Sequence, residues 1–253
     1  MDFQRRFGGV GRLYGLDALA RFRTAHVCVI GVGGVGAWTA EALARSAVGR
    51  ITLIDLDHLV ESNMNRQLPA LDSTLGRAKV QVMAERILQI NPRAEVIPVE
   101  TFAEPDNLDG LIASDVHQVV DCIDSARVKA ALVHHCRRAR IPIITVGGAG
   151  GRTDPTRIRV SDLSRTEQDP LLARTRRLLR QRYGFSRNPK RRFGVPAVWS
   201  DEPQVRIVAA EGHCESGPAG GLNCGGYGAC APVTATFGMA AAAEALKRLA
   251  AKA

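Results

Sequence analysis

Aromatic residues are scarce in this chain, since Phe, Tyr and Trp make up only 5% of its 253 residues. This scarcity argues against a protein that holds single-stranded nucleic acid mainly by stacking bases on aromatic side chains. The first residues contain no apolar signal region, and the long charge-free stretch from Ser216 to Ala243 is broken by glycine and proline. The sequence therefore predicts a cytoplasmic protein whose six cysteines stay reduced.

Acidic residues are absent between Pro170 and Arg192, where nine basic residues lie. They are Arg174, Arg176, Arg177, Arg180, Arg182, Arg187, Lys190, Arg191 and Arg192. Without these nine, the 34 Lys and Arg residues of the chain become 25, which equals its 25 Asp and Glu residues. The net charge of +9 is thus concentrated in one segment, which indicates a localised contact with a polyanion. A solvated, arginine-rich helix face is the alternative interpretation.

Strand-like and helix-like segments alternate over the first 150 residues. Apolar strands are predicted at 26–30, 50–57, 94–100, 117–124 and 141–148, with helices between them at 37–47, 76–90, 105–113 and 126–139. This alternation is typical of a doubly wound, mainly parallel Rossmann-like α/β sheet. We expect one domain over 1–253, with an N-terminal helical arm (1–25) and a nucleotide-binding half (26–150).

The pattern changes in residues 151–253, which we interpret as the half that faces the substrate. A strand is expected at 156–163 and a helix at 169–184, with Asp169 as N-cap, Pro170 in its first turn and Gly184 after its end. The leucines of this helix share one face, so its arginines are expected to point outward. Residues 186–230 are predicted to form glycine-rich loops before a closing helix over 232–251.

A glycine-rich turn follows the first strand and opens the next helix. Gly31, Gly33 and Gly36 match G-x-G-x-x-G, Gly34 adds a fourth glycine, and Asp55 ends the next strand. Such glycines let phosphate oxygens approach the backbone at a helix N-terminus, and an acid at the second strand accepts hydrogen bonds from a ribose. The alternative is that these glycines serve only helix–strand packing.

Polar residues beyond the second strand favour a triphosphate over a nicotinamide. Asp57, Asn63, Arg66 and Gln67 follow Asp55 closely, and Lys79 begins the next helix; Asp124 follows the fourth strand. Cations offset phosphate charge, and a carboxylate holds Mg²⁺. Asp121 is expected to point away from this edge. Arg66 and Lys79 could also be ordinary surface cations.

The motifs GVGGVG, LIDLDHLVESNMNRQ, GRAKV, INP and DCIDS resemble the ubiquitin-activating type of ATP-dependent adenylating enzymes. Three further segments, RFGGVGRLYG, GGAGGRTDPTRIRVSDL and PVTATFG, are similar to the branch of that family that dehydrates threonylcarbamoyladenosine in tRNA. The resemblance covers residues 3–250. It implies carboxylate adenylation at position 37 of tRNA, with release of AMP and pyrophosphate.

The resemblance also implies roles for individual residues. The ATP-binding residues would be Gly31, Gly33, Gly34, Gly36, Asp55, Asp57, Asn63, Arg66, Gln67, Lys79, Asp124 and an N-terminal arginine from the partner of a homodimer. That arginine is Arg6 or Arg12, between which the sequence does not choose, and both could equally be surface arginines. Arg66, Lys79, Asp124 and Cys224 would be catalytic, Asp124 would hold Mg²⁺, and Cys224 could instead be a structural loop thiol. The tRNA would contact Arg174, Arg176, Arg177, Arg180, Arg182, Lys190, Arg191 and Arg192.

One departure from the family separates its branches. Activators of sulfur-carrier proteins usually carry two C-x-x-C pairs that bind zinc, and no such pair occurs here, so we expect no zinc. Three alternatives stay open: an activator of a ubiquitin-like sulfur carrier, a nicotinamide-dependent oxidoreductase, and a non-catalytic tRNA-binding or sulfur-relay protein. The resemblance allows a cysteine desulfurase partner and membrane association, neither of which the composition requires.

Overall fold

The computed structural model describes residues 2–206 and 227–251. Strands β1 (His26–Ile30), β2 (Arg50–Ile54), β3 (Glu95–Val99), β4 (Gln118–Asp121), β5 (Ile143–Val146), β6 (Ile158–Asp162) and β7 (Pro196–Ser200) form one sheet. Their order is β3-β2-β1-β4-β5-β7-β6, and all neighbours pair in parallel except β6 and β7. The carboxyl ends of the parallel strands therefore meet at one edge, where open α/β sheets bind ligands.

Helices cover both faces of the sheet. They are α1 (Phe3–Tyr14), α2 (Leu16–Thr24), α3 (Gly36–Arg45), α4 (Lys79–Ile90), α5 (Leu108–Leu111), α6 (Ala126–Ala139), α7 (Pro170–Arg182) and α8 (Ala231–Ala250). One apolar core joins the sheet to α2, α3, α4 and α8 through buried residues such as Phe22 and Phe237. A second core contains Leu132 of α6 and Leu172 of α7. The predicted doubly wound, mainly parallel sheet is confirmed.

The closing helix α8 packs closely against α3, the helix that follows the glycine-rich turn. Gly238 makes this approach possible, because a Cβ there would lie 2.6 Å from the Val35 carbonyl oxygen. Thr39 donates a hydrogen bond to the Gly238 carbonyl oxygen at 3.2 Å. One face of this alanine-rich helix is thus buried in the core. Of the helices in the described ranges, none is long and apolar enough to cross a membrane.

Strand β7 corrects the prediction of loops throughout 186–230. All five of its residues are buried between β5 and β6. The strand was missed because it is short, lacks alternation and lies among glycine, proline and charged residues. Pro196 occupies its first position, where a missing N–H is tolerated. Residues 207–226 of the remaining stretch lie outside the described residues.

The N-terminal helices pack onto the body of the protein. Phe22 of α2 is fully buried in the first core, and Phe7 of α1 packs with Leu19 and Ala47. The helical arm expected over 1–25 is therefore present as two helices. Its boundaries, and the division at residue 150, stay predictions.

Candidate functional site

The glycine-rich turn lies at the carboxyl end of β1. Gly31 adopts a φ of +85°, which favours glycine, and its N–H donates to the Ile54 carbonyl oxygen at 2.8 Å. A Cβ on Gly36 would lie 1.8 Å from the Gly31 carbonyl oxygen, so Gly36 is required by the turn itself. A Cβ on Gly33 would meet nothing closer than 3.9 Å. The backbone at Gly33 is therefore open to an approaching group from outside the fold.

Asp55 is tied to this turn. Its Oδ2 accepts a hydrogen bond from Val32 N–H at 2.6 Å, and its Oδ1 accepts one from Asp57 N–H at 2.9 Å. Burial raises the pKa of the Asp55 carboxyl, against the opposing effect of the Lys79 charge and of these two bonds. The carboxylate thus faces the glycine turn, in the place that the sequence predicted for a ribose acceptor.

Lys79 and Asp57 form an ion pair beside Asp55. The Lys79 Nζ lies 2.8 Å from Asp57 Oδ2, and Lys79 is only 5% exposed although it is the first residue of α4. The Lys79 N–H also donates to the Asp57 carbonyl oxygen at 3.0 Å. These contacts exclude the alternative that Lys79 is an ordinary surface cation. They also fix its ammonium at the sheet edge.

Arg66 lies against the glycine turn from the other side. A Cβ on Gly34 would lie 3.3 Å from Arg66 Cγ, and the Arg66 carbonyl oxygen accepts a hydrogen bond from Trp38 Nε1 at 3.2 Å. The guanidinium donates to the Ser62 carbonyl oxygen at 2.6 Å and to Asn65 Oδ1 at 2.8 Å. Burial lowers the pKa of Arg66. Arg66 is thus half-buried and is not a freely solvated surface residue.

Asn63 and Gln67 are both buried near these cations. Asn63 Oδ1 accepts a hydrogen bond from Val60 N–H at 3.3 Å, so this side chain shapes the turn that carries Arg66. Gln67 Nε2 is the atom closest to a Cβ on Gly33, and its Oε1 has no hydrogen-bond partner among the described residues. A buried amide oxygen without a partner is costly, which is consistent with a ligand donor at this position.

Two aspartates at the end of β4 differ in their surroundings. Asp121 is fully buried, where its Oδ2 lies 2.9 Å from Lys129 Nζ and accepts from Thr145 Oγ1 at 2.7 Å. Asp124 is exposed beyond the strand, and the turn that leads to it touches Gly31. The expectation that Asp121 points away from the site is confirmed, and Asp124 lies on the predicted edge.

Lys129 is a buried charge that the sequence reasoning missed. It is 0% exposed, and its Nζ also donates to the Asp121 carbonyl oxygen at 3.1 Å. This pair braces the turn between β4 and α6 that carries Asp124. A helical-wheel analysis could have found it, because Lys129 is spaced like Leu132 and Cys136 on the buried face of α6.

The two N-terminal arginine candidates have different environments. Arg6 Nη1 donates to the Ile90 carbonyl oxygen at 2.7 Å and to that of Gln89 at 3.3 Å. Arg6 therefore caps the C-terminus of α4 within its own chain. Arg12 lies exposed in the last turn of α1, with its guanidinium back over Gly8 and Gly9. Arg6 is thus engaged within its own chain, whereas Arg12 is exposed.

Cys224 lies outside the described residues, as does Cys214. The described residues on either side of that gap are held at the same edge of the sheet. Val205 N–H donates to the Gly151 carbonyl oxygen at 2.8 Å, and Gly151 N–H donates to that of Gly228 at 2.7 Å. Asn65 Nδ2 donates to the Ala229 carbonyl oxygen at 2.7 Å. Val205 and Gly228 therefore both lie beside Gly151, and Asn65 links Ala229 to Arg66.

Cys28, Cys122 and Cys136 are free thiols in or near the core. Burial raises the pKa of the Cys122 and Cys136 thiols to about 12 and also raises that of Cys28. These groups are thiols at neutral pH, so they are poor nucleophiles. No group of three His, Cys, Asp or Glu residues that could hold a metal ion occurs within 2–206 and 227–251.

Helix α7 begins as predicted but does not present all its arginines to solvent. Asp169 accepts from Leu172 N–H at 2.9 Å as N-cap, and its other oxygen accepts from Gly148 N–H at 3.0 Å. Arg152, a second buried charge that the sequence did not reveal, lies 3.5 Å from the Asp169 carboxylate. The start of α7 is thus anchored at the carboxyl end of β5.

Arg176 and Arg180 correct the expectation of an outward arginine face. Arg176 donates to Thr166 Oγ1, and burial lowers its pKa. Arg180 lies 5.3 Å over the ring of Phe193. Both are half-buried because hydrogen-bonding and ring partners lie beside the helix. The remaining members of the predicted tRNA set are exposed, namely Arg174, Arg177, Arg182, Lys190, Arg191 and Arg192.

Comparisons with known proteins agree with this geometry. The model of the ThiF family matches residues 9–253. The chain is 48% identical over 249 residues to the tRNA threonylcarbamoyladenosine dehydratase of Haemophilus influenzae, covering 98% of this chain and 94% of that protein. A structure of the Escherichia coli tRNA N6-threonylcarbamoyladenosine dehydratase in complex with ATP has a TM-score of 0.88 at 48% identity, covering 98% of this chain and 94% of that one. A structure of the same Escherichia coli enzyme with AMP has a TM-score of 0.87 at 47% identity, covering 98% and 95%.

Proposed function

The chain belongs to the ThiF family, and from this premise we propose that it catalyses the ATP-dependent dehydration of threonylcarbamoyladenosine in tRNA. The observation that carries the proposal is the convergence of Gly33, Asp55, Arg66 and Lys79 at one sheet edge. It unites a backbone open to phosphate, a ribose acceptor and two cations. The similarity to dehydratases over almost the whole chain supports the choice of substrate.

ATP occupies the edge formed by the carboxyl ends of β1, β2 and β4. The α-phosphate lies over Gly33 and Gly34 at the N-terminus of α3, where N–H groups and the helix dipole favour an anion. Asp55 accepts hydrogen bonds from the ribose hydroxyls. Asn63 and Gln67 lie beneath the phosphates, to which Gln67 Nε2 donates a hydrogen bond.

Arg66 and Lys79 stabilise the charge on the triphosphate. Lys79 is held by Asp57, so it donates from a fixed position with little loss of side-chain entropy. The Arg66 guanidinium exchanges its bonds to Ser62 and Asn65 for phosphate oxygens. Arg12 from the second subunit of a homodimer completes the site.

Asp124 is the residue suited to hold Mg²⁺. Mg²⁺ is usually bound in such sites through one or two carboxylates, with phosphate and water oxygens filling the other positions. An exposed carboxylate on the turn beside Gly31 meets that requirement without a protein cage. The ion would supply charge neutralisation at the phosphates and a fixed orientation of the triphosphate. Lys129 and Asp121 keep the turn of Asp124 in place from below.

The reaction follows from these positions. The threonyl carboxylate of the modified base attacks the α-phosphate of ATP, forming an acyl adenylate and releasing pyrophosphate. The carbamoyl group of the same side chain then bonds to the activated carbonyl carbon and loses a proton, which breaks the bond to AMP, so one carboxylate oxygen leaves with AMP. The net change is loss of one water from the nucleoside. The chain contributes positioning and charge stabilisation rather than a general base.

Cys224 is proposed as a participant in the second step. The residues that flank its segment are held at Gly151 and Asn65, beside the edge where the adenylate forms. Replacement by serine tests the role: a loss of at least tenfold in conversion, with unchanged pyrophosphate release, is the expected result. Less than threefold loss in conversion would remove Cys224 from the mechanism.

Substrate tRNA lies along α7, with the exposed Arg174 and Arg177 contacting its phosphates. The proposal further includes action in the cytoplasm as a homodimer, without zinc, and a cysteine desulfurase system as a partner. Products of the reaction test the central scheme. Purified chain, modified tRNA, ATP and Mg²⁺ should yield AMP and pyrophosphate in equal amounts, and release of ADP would contradict it.

A further inference from the structure

The last turn of α6 carries a second group of exposed cations. Arg137, Arg138 and Arg140 lie there without an acidic residue between them. The balance of 25 basic and 25 acidic residues outside 170–192 concealed this group, because neutrality along a sequence does not require neutrality on a surface.

Aromatic contacts join this group to the segment that follows α7. The Arg137 guanidinium lies 4.6 Å over the ring of Phe185, and the ring of His134 stacks on Tyr183 at 4.6 Å. Phe185 in turn meets Phe193 edge-on at 5.0 Å. The end of α6 and the end of α7 therefore share one surface. We name it the α6–α7 cationic face, formed by Arg137, Arg138, Arg140, Arg174, Arg177 and Arg182.

Arg140 occupies a position whose backbone favours glycine. Its φ is +57° and it ends α6, with its N–H donating to the carbonyl oxygens of Arg137 and Cys136. Helices commonly end at a residue in this left-handed conformation, which is usually glycine and which disfavours residues with a Cβ. The fold itself thus gives no reason for arginine here. An exposed charge at a backbone position that disfavours it is consistent with a contact outside the chain.

The dimensions of the face fit a nucleic acid backbone. The start of α7 is held at the catalytic edge through Asp169 and Gly148, and its 13 residues extend about 20 Å from there. Asp109, on the side of α5, lies 3.0 Å from His135 and lines a cleft of about 380 Å³ together with Arg138. The exposed arginines at the end of α6 and along α7 supply guanidinium groups, and arginine pairs well with phosphate.

We propose that the α6–α7 cationic face binds the phosphodiester backbone of tRNA at a distance from the reacting nucleotide, with Arg138 and Arg140 as its far anchor. This inference rests on the proposed function, since tRNA is the polyanion that the reaction brings to the sheet edge. The contact is independent of base sequence and of the modification, because phosphates carry no sequence information. It extends the predicted tRNA surface from α7 onto α6.

A charge-matched pair of double variants tests the proposal. Arg138→Gln with Arg140→Gly removes two cations from the face, and the glycine suits the backbone at residue 140. Lys247→Gln with Arg248→Gln removes two cations from α8, on the opposite side of the sheet. Binding of unmodified tRNA is measured without ATP at several salt concentrations, and ATP binding and thermal stability are measured in parallel.

The face variant should bind tRNA about tenfold or more weakly at low salt, and its salt dependence should fall by about two phosphate contacts. Its ATP affinity should equal that of the wild type, and its melting temperature should be equal or higher. A tRNA affinity and salt slope equal to those of the α8 control would overturn the proposal. A face variant that lost binding to polyglutamate but kept tRNA binding would also overturn the proposal, because the face would then be assigned to an acidic protein. A wild-type chain that binds tRNA through this face but converts none of it would contradict the proposed function alone.

Discussion

Two glycines of the same turn should respond oppositely to alanine. At Gly36 the new Cβ would lie 1.8 Å from the Gly31 carbonyl oxygen and 2.9 Å from its carbonyl carbon. Both atoms are backbone, so the turn must open, and we expect a loss of about 3 kcal/mol or more of stability. At Gly33 the nearest atom is 3.9 Å away, in a flexible side chain, and φ is not in the left-handed region. Gly33→Ala should therefore leave stability unchanged or raise it by up to about 1 kcal/mol.

Binding of ATP should separate the two variants further. If phosphate oxygens pack directly on the backbone at Gly33, the added methyl group should weaken ATP binding at least about tenfold, which is about 1.4 kcal/mol. Chemical denaturation gives the stability of each variant, and titration calorimetry with ATP gives its affinity. A Gly33→Ala chain that binds ATP as tightly as the wild type would refute the placement of the phosphates. A fully stable Gly36→Ala chain would refute the packing of the turn.

Three further predictions concern titratable and charged groups. Because the pKa of Asp55 is raised, its protonation should weaken ATP binding as the pH is lowered from neutrality, whereas the Asp55→Asn chain should bind ATP weakly at every pH. Calorimetry over the pH range measures both chains. A wild-type ATP affinity that does not change with pH would contradict the role of Asp55 as ribose acceptor. Arg12→Ala should lower pyrophosphate release at least about tenfold at unchanged stability. Arg6→Ala should mainly cost about 1 kcal/mol of stability, through loss of its hydrogen bonds to the carbonyls of α4. Equal effects of the two substitutions on pyrophosphate release would exclude the assignment of Arg12 to the ATP site. Brief alkylation of the native chain near pH 8, followed by mass mapping, should leave Cys28, Cys122 and Cys136 unmodified. Prompt modification of these thiols would contradict their burial.

Local patterns in the sequence predicted the elements that build the nucleotide site. The apolar run at 26–30, the glycines that follow it and Asp55 each depend on neighbours close in sequence, and the structure has them in the expected positions. Helix α6 begins and ends at the predicted residues, and the start of α7 follows from its cap. In such cases spacing, capping and turn chemistry suffice, because the contacts that decide the structure are local.

Contacts between distant segments could not be predicted in the same way. Strand β7 is defined by its place between β5 and β6 rather than by its own five residues. The half-buried state of Arg176 depends on Thr166, which follows from how the segments pack. The cations of α6 join those of α7 only through tertiary packing. Charge counts along the chain therefore located part of the basic surface and missed the rest.

The most direct test of the proposed function is mass analysis of tRNA nucleosides after incubation with the purified chain, ATP and Mg²⁺. The account predicts that threonylcarbamoyladenosine is converted to a nucleoside lighter by one water. Asp124→Ala should fold normally and lose most of this conversion, since its carboxylate is exposed and its proposed task is to hold the metal. An unchanged nucleoside mass with the wild-type chain, under conditions where ATP binds, would contradict the account.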